Sequence, residues 1–180
     1  MKAINYKDDK RIRKDITPLF LTAFPKDERP PKRYFFSSGL KESNNIYAYY
    51  EDNDEFIGFS QLTSYKDIIY IFFLAIQEAK RGQGYGSKII SKIREDNKDK
   101  VLLLCYEEVD EKYPDYESRK RRKSFYQRNG FMDNGVKTNE FGVIFETGYI
   151  GNHQVPFTDY VEIFVKGFSE YAREHIKEVK

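Results

Sequence analysis

Tryptophan is absent from the 180 residues, and cysteine, methionine and histidine are scarce, at one, two and two. A single thiol, Cys105, excludes an intrachain disulfide, and one cysteine with two histidines leaves too few ligands for a zinc cluster, so no metal is expected. Long apolar runs are missing as well. The longest uncharged apolar stretch, Ile68 to Ile76, falls far short of the ~20 residues that a membrane-spanning helix needs. The charged residues 1–10 contain no apolar core of a signal peptide, so the sequence predicts a cytoplasmic chain with no membrane association. Charge of one sign is lacking too: 31 basic against 29 acidic side chains leave +2, which argues against a surface built to coat nucleic acid. Internal repeats and low-complexity linkers are absent, and the length suits a single domain over residues 1–180.

Aromatics are abundant instead, 15 Tyr and 15 Phe, enough for a sizeable core. Residues 11–24 place Ile12, Ile16, Leu19, Phe20 and Phe24 at helical spacing, and Pro25 and Pro30-Pro31 then mark a proline-rich loop. Residues 46–50 and 55–63 read as a hairpin around the turn cluster Glu51-Asp52-Asn53-Asp54, and 67–76 as a central strand. A glycine loop leads to a helix over 88–94 with Ile89, Ile90 and Ile93 on one face. A short apolar strand follows at 101–106, then a helix over 118–129 that stops at Gly130. Two strands over 136–149 turn around Asn139-Glu140, and Tyr160, Phe164, Phe168, Tyr171, His175 and Val179 predict an amphipathic helix over 159–180. This order of elements predicts an α/β (α+β) fold, a mixed sheet covered on both faces by helices.

The stretch Arg81-Gly82-Gln83-Gly84-Tyr85-Gly86-Ser87 is the most informative in the chain. Glycines let a backbone turn tightly and point successive amides outward, and a helix beginning near Tyr85 adds its positive end, so the loop can cradle a phosphate. It is not a Walker loop, having no Gly-Lys-Ser/Thr, and its spacing is not that of a dinucleotide fingerprint. A plain glycine-rich turn from strand to helix remains the other reading.

Arg81, Gly84 and Gly86 match an Arg/Gln-x-x-Gly-x-Gly/Ala signature, the strand before them ends in an apolar triplet, and Phe125-Tyr126 is followed by Gly130-Phe131. In these motifs, and in their order, the chain resembles the GNAT N-acetyltransferase superfamily, specifically so over residues 57–131. The resemblance implies a mostly antiparallel sheet with splayed central strands. It implies acetyl-CoA as co-substrate, with pantetheine against the backbone of Leu74, Ala75 and Ile76 and pyrophosphate on residues Arg81, Gly82, Gln83, Gly84, Tyr85, Gly86 and Ser87. Gly84 and Gly86 would be the least replaceable. It further implies acetyl transfer to a primary amine of a small acceptor, with Tyr126 as the general acid that protonates the departing thiolate. A phenol of reference pKa ~10 is protonated at neutral pH, as that role requires. The histone acetyltransferase branch has a glutamate base on its fourth strand, where this chain has Tyr70. Glu107 is the nearest alternative base, its other reading being a solvated loop acid.

The acidic run from Glu107 through Glu111, Asp115 and Glu117 would suit a cationic acceptor or simply solvate the surface. Arg119-Lys120-Arg121-Arg122-Lys123 could pair with that loop, approach CoA phosphates, or bind nucleic acid, although consecutive cations spread around a helix rather than forming a stripe. Cys105 sits among apolar neighbours as a buried small hydrophobe, His175 falls on the apolar face of the last helix, and His153 lies in an exposed turn. That last helix could complete the acceptor pocket or a homodimer interface. Beside the enzyme stand two alternatives: an acetyl-CoA-binding sensor without turnover, and a nucleic-acid-binding module using residues 119–123.

Overall fold

The computed structural model describes residues 1–26 and 29–179; part of the expected proline-rich loop, Asp27 and Glu28, and the final Lys180 lie outside the described residues. Eight strands and six α-helices alternate along the described chain: β1 (Lys2–Asn5), α1 (Arg13–Ala23), α2 (Lys32–Ser38), β2 (Asn44–Tyr50), β3 (Phe56–Tyr65), β4 (Ile68–Ile76), α3 (Tyr85–Asp96), β5 (Val101–Glu107), α4 (Tyr116–Arg128), β6 (Met132–Glu140), β7 (Val143–Ile150), α5 (Phe157–Gly167), α6 (Ala172–His175) and β8 (Ile176–Glu178). They fall into two compact units, Met1–Thr63 with Ile71–Ile93, and Ser64–Tyr70 with Arg94–Lys180.

In the first unit the strand order is β1-β2-β3-β4, with β1 on β2 and β2 on β3 antiparallel. The hairpin turn sits where expected, and Asp54 adopts the left-handed conformation (φ 68°) that Asx residues tolerate. The core is a phenylalanine cluster. Phe20 of α1 stacks on Phe35 of α2 at 4.2 Å and meets Phe73 of β4 edge-on at 5.6 Å, while Phe35 meets Phe59 of β3 at 5.7 Å. Helix α2 was not expected from the sequence. It begins directly after Pro31, whose fixed φ suits a helix start, and it buries Phe35 and Phe36.

In the second unit the order is β4-β5-β7-β6-β8. The first residues of β4 pair with β5 in parallel, Ile68 with Val101 and Tyr70 with Leu103, whereas β5 and β7 run antiparallel from Leu102↔Ile150 to Glu107↔Phe145. The turn between β6 and β7 is one pair of residues later than the sequence reading placed it. Glu140 pairs with Val143, and the two residues between them, Phe141 and Gly142, have φ of 53° and 94°, the positive values a tight hairpin of this twist demands.

The helix expected over 159–180 is corrected. Helix α5 ends at Gly167, Phe168 departs from helical geometry (φ −124°, ψ −75°), and after the four-residue α6 the chain becomes β8. The apolar spacing continues past Gly167 without a helix beneath it, because β6 would otherwise present an unpaired edge; β8 covers that edge antiparallel, Glu140↔Ile176 and Thr138↔Glu178. No described helix is long and apolar enough to cross a membrane.

Candidate active site

The glycine loop follows β4 in the first unit. The amides of residues 82–87 hydrogen-bond no acceptor among the described residues; the first helical bond of α3 is Lys88 N–H to the Gly84 carbonyl at 3.1 Å. The loop's N–H groups precede the start of a 12-residue helix, an arrangement suited to an anion. Gly82 (φ 74°) and Gly84 (φ 80°) are left-handed, and a Cβ on either would meet nothing within 4 Å, so backbone conformation rather than crowding demands glycine. Gly86 is different: it lies in the first turn of α3 and is not left-handed.

Side chains hold the loop from behind. Arg81 Nε donates to the Ile76 carbonyl at 3.2 Å and Gln83 Nε2 to the Ala79 carbonyl at 2.9 Å. The Tyr85 hydroxyl donates to Glu51 Oε1 at 2.8 Å, and Lys80 bridges Glu51 (2.6 Å) and Glu55 (2.5 Å). The Lys80 ammonium and the Tyr85 hydroxyl keep the Glu51 carboxyl below its ordinary pKa. Ser87 is half-buried near the start of α3. Upstream, Leu74 and Ile76 are half-buried and Ala75 is buried. Gly58 of β3, which sequence reasoning passed over, makes this part of β4 possible. A Cβ there would stand 2.2 Å from the Ala75 carbonyl oxygen, so only glycine permits the approach. Its signal was an isolated glycine inside a strand pattern.

Tyr126 lies on α4 in the second unit, half-buried, its ring stacked on Tyr106 at 5.9 Å and beside Phe125 at 5.3 Å. Its placement comes from the helix end. The Phe131 N–H donates to the Tyr126 carbonyl at 3.1 Å and the Gly130 N–H to the Gln127 carbonyl at 3.0 Å, with Gly130 at φ 90°. This is a Schellman closure, and its accompanying apolar contact is Phe131 set edge-on against the Tyr126 ring at 5.7 Å. The Tyr-to-Gly-Phe spacing seen in the sequence is thus one structural device. The Tyr126 hydroxyl has no hydrogen-bond partner among the described residues. Desolvation pushes it up to about 12, with the Arg122 guanidinium pulling the other way, so it is protonated at neutral pH.

Glu107 is the last residue of β5 rather than a solvated loop acid, 5% exposed and ion-paired with Arg122. The acidic loop and the basic run engage each other. Arg119 Nε bonds Asp115 at 2.8 Å and its guanidinium stacks on Tyr113 at 3.9 Å, and Lys123 pairs with Glu146. Glu108 accepts from Lys112 and Lys137, each at 2.8 Å, and these ammonium groups hold its carboxyl at about 2. Three of the five consecutive cations are therefore committed to carboxylates, which removes the free phosphate-binding stripe a nucleic-acid module would need. Cys105 is half-buried, its Sγ accepting from the Tyr70 hydroxyl at 3.0 Å, and burial pushes its thiol up, so it is a neutral thiol and not a nucleophile.

In the first unit an amide cradle opens a helix after a sheet strand; in the second a tyrosine hydroxyl with no described partner is set by a glycine turn. Sequence comparison makes the assignment specific: the pattern of the Acetyltransferase (GNAT) domain matches residues 42–133, about half the chain, and the chain belongs to that family. It is 36% identical over 108 residues to the Bacillus subtilis (strain 168) protein named "Putative acetyltransferase YjbC", over 60% of this chain and 52% of YjbC. The chain thus spans about half the length of this curated relative. Among solved structures, one described as "Putative acetyltransferase from GNAT family from Bacteroides thetaiotaomicron" superposes with a TM-score of 0.72 at 22% identity, covering 91% of this chain and 93% of that one. An aminoglycoside 6'-N-acetyltransferase complexed with coenzyme A superposes with a TM-score of 0.67 at 14% identity, covering 87% and 98%. At these identities the structures bear on fold.

Proposed function

We propose that the protein is an acetyl-CoA-dependent N-acetyltransferase that acylates a primary amine of a small acceptor. The observation that carries this reading is the run of free amides over residues 82–87 at the start of α3. It suits the pyrophosphate of a CoA, and the open space above Gly82 and Gly84 leaves room for it. The donor supplies a thioester carbonyl and a thiolate leaving group. Leu74, Ala75 and Ile76 would offer backbone groups to the pantetheine, and Arg81, Gln83 and Tyr85 would hold the loop in shape. Tyr126 would give its proton to the departing sulfur, a role that fits a protonated phenol with no other partner. Glu107 suits the role of base less well, because accepting a proton would cost it the ion pair with Arg122.

The reading is tested by calorimetric titration of acetyl-CoA into wild type and Gly84→Glu, followed by thiol release over an amine panel with Tyr126→Phe as control. Binding lost in Gly84→Glu and turnover lost in Tyr126→Phe are the expected results. Absence of wild-type binding overturns the reading. Tight binding without thiol release from any amine favours the non-catalytic acetyl-CoA sensor instead.

A further inference from the structure

Of the five consecutive cations on α4, one is anchored differently from the rest. The Arg122 guanidinium is ion-paired with Glu107, the last residue of β5, which is 5% exposed. Arg119 and Lys123 also pair with carboxylates, but those of Asp115 and Glu146 are more open to solvent. Burying the carboxylate of such a pair is costly, and an apolar contact would fasten the helix to the strand at least as well. The position of Arg122 gives the pair another use. Arg122 and Tyr126 are four residues apart and so share one face of α4, and helical side chains lean towards the N-terminus, which sets the Tyr126 ring over the turn that carries Arg122. β5 fixes both from the other side: Tyr106 stacks on the Tyr126 ring at 5.9 Å, and the next residue, Glu107, holds the guanidinium. A cation is thereby anchored one helical turn from a hydroxyl that has no hydrogen-bond partner among the described residues, and all of these groups belong to the second unit. The other titratable groups around the ring are Tyr106 and Cys105 of β5, both kept neutral by burial, and Lys123, which lies over the Tyr106 ring at 5.7 Å and pairs with Glu146 of β7.

We propose that Arg122, held by Glu107, is the positioning residue that makes Tyr126 an effective acid, by stabilising the phenolate that forms when the tyrosine gives up its proton; the inference rests on the acetyl-transfer reading. As the C–S bond of the donor breaks, its electron pair goes to sulfur, and Tyr126 gives the sulfur its O–H proton, yielding a thiol. The phenolate left behind is the difficulty. Burial keeps Tyr126 protonated and for the same reason opposes its anion, and a thiol is the stronger acid of the two to begin with, at a reference pKa of ~8.5 against ~10. A nearby guanidinium attracts the phenolate and is almost indifferent to the neutral phenol, so it favours proton transfer without tightening binding. The proton shed by the acylated nitrogen then restores the phenol through solvent: thioester and amine have become thiol and amide, and Tyr126 and Arg122 are unchanged. The balance of charges around Tyr126 agrees. Burial raises the phenol to about 12, and the Arg122 guanidinium pulls it down more strongly than the Glu107 carboxylate pushes it up.

The first readout is the acidity of Tyr126 itself and needs no turnover. The residue 3,5-difluorotyrosine, whose ring fluorines make the phenol more acidic and report its ionisation, is placed at position 126 of the otherwise intact protein. Its midpoint is read by fluorine-19 NMR with Arg122 present and in Arg122→Lys, Arg122→Gln and the double variant Arg122→Gln/Glu107→Gln. The midpoint should rise by about one pH unit or more in Arg122→Gln and stay near its starting value in Arg122→Lys, which keeps the charge. Arg122→Gln also strands a buried carboxylate. The double variant removes that charge, so its midpoint should fall part of the way back yet remain above the starting value. The inference is overturned if Arg122→Gln leaves the midpoint in place, or if the double variant returns to the starting value, since the stranded Glu107 would then account for the whole shift. The second readout is thiol release with spermidine as acceptor. Arg122→Gln should leave KM for acetyl-CoA within about twofold and lower kcat on the order of tenfold, and difluorotyrosine at position 126 should recover part of that loss, because a stronger acid makes up for the missing cation. A lesion that merely loosened α4 would not be relieved by a more acidic ring. An unchanged kcat in Arg122→Gln overturns the inference and leaves acetyl transfer standing. If spermidine is not acetylated, the midpoints decide. Wild type that binds no acetyl-CoA overturns the acetyl-transfer reading and the role of the acid with it, whereas normal binding with no shift in midpoint overturns the inference alone.

Discussion

The first unit presents its chemistry through backbone and the second through side chains. In the glycine loop the groups that face outward are amide N–H donors, and the side chains around them, from Glu51 to Gln83, only brace the turn. In the second unit the backbone is consumed by strand and helix bonding, and the chemistry lies in hydroxyls and carboxyls: Tyr126 unpartnered, Tyr70, Tyr160 and Glu140 linked in series. The physical lesson is one of tolerance. A backbone site is vulnerable at positions that set φ and indifferent to most side chains, while a side-chain site fails when one polar atom is removed.

That contrast breaks most sharply at Gly84. Gly84→Glu forces a side chain into a left-handed conformation and sets a carboxylate where phosphate is expected, so acetyl-CoA affinity should fall at least about a hundredfold, read by calorimetry. Gln83→Ala, which removes only a brace to the Ala79 carbonyl, should change affinity severalfold at most. Tyr126→Phe should leave that affinity intact and lower kcat by roughly a hundred- to a thousandfold in a thiol-release assay. If both parameters fall together, the hydroxyl is serving the fold and the contrast fails.

Next in size is Gly58→Ala. A Cβ 2.2 Å from the Ala75 oxygen must displace backbone, so a loss of about 2–3 kcal/mol is expected, read as a fall in Tm of roughly 4–12 °C. Glu140 gives an effect of about 2 kcal/mol with a defined sign. Its folded pKa of about 6 lies above its ordinary 4.5, so its contribution is fully present below pH 4.5 and is lost as pH rises through 6. The stability of wild type relative to Glu140→Gln should therefore decline between those two pH values and be flat above them. Smallest is Arg121→Ala, within about 0.5 kcal/mol in chemical denaturation, because Arg121 forms no ion pair among the described residues whereas its neighbours Arg119, Arg122 and Lys123 do.

The sequence disclosed the backbone site more readily than the side-chain one, for a physical reason. Gly82, Gly84 and the start of α3 are neighbours in sequence, so their spacing carries the geometry; the same holds for Tyr126 and the Gly130-Phe131 turn that positions it. The strands from β2 to β5 were legible for a similar reason, each being a local apolar run. Glu140 was not legible, since it meets Tyr160 twenty residues away, which in turn meets Tyr70 far upstream, and nothing local marks it as buried. Helix α2 was masked by the prolines before it, and β8 by an apolar spacing that persisted after Gly167 had ended the helix. Pairing with a distant β6 edge decided the state of Ile176–Glu178, and no window of sequence contains both partners.

The Schellman closure at Gly130 bears on how this protein could be re-engineered. A library that randomises only side chains lining a cleft would treat Gly130 as remote and Phe131 as packing, yet these two set the height and tilt of the Tyr126 ring. Residues 126–131 behave as one cassette: they should be transplanted whole or left untouched, and diversity introduced elsewhere.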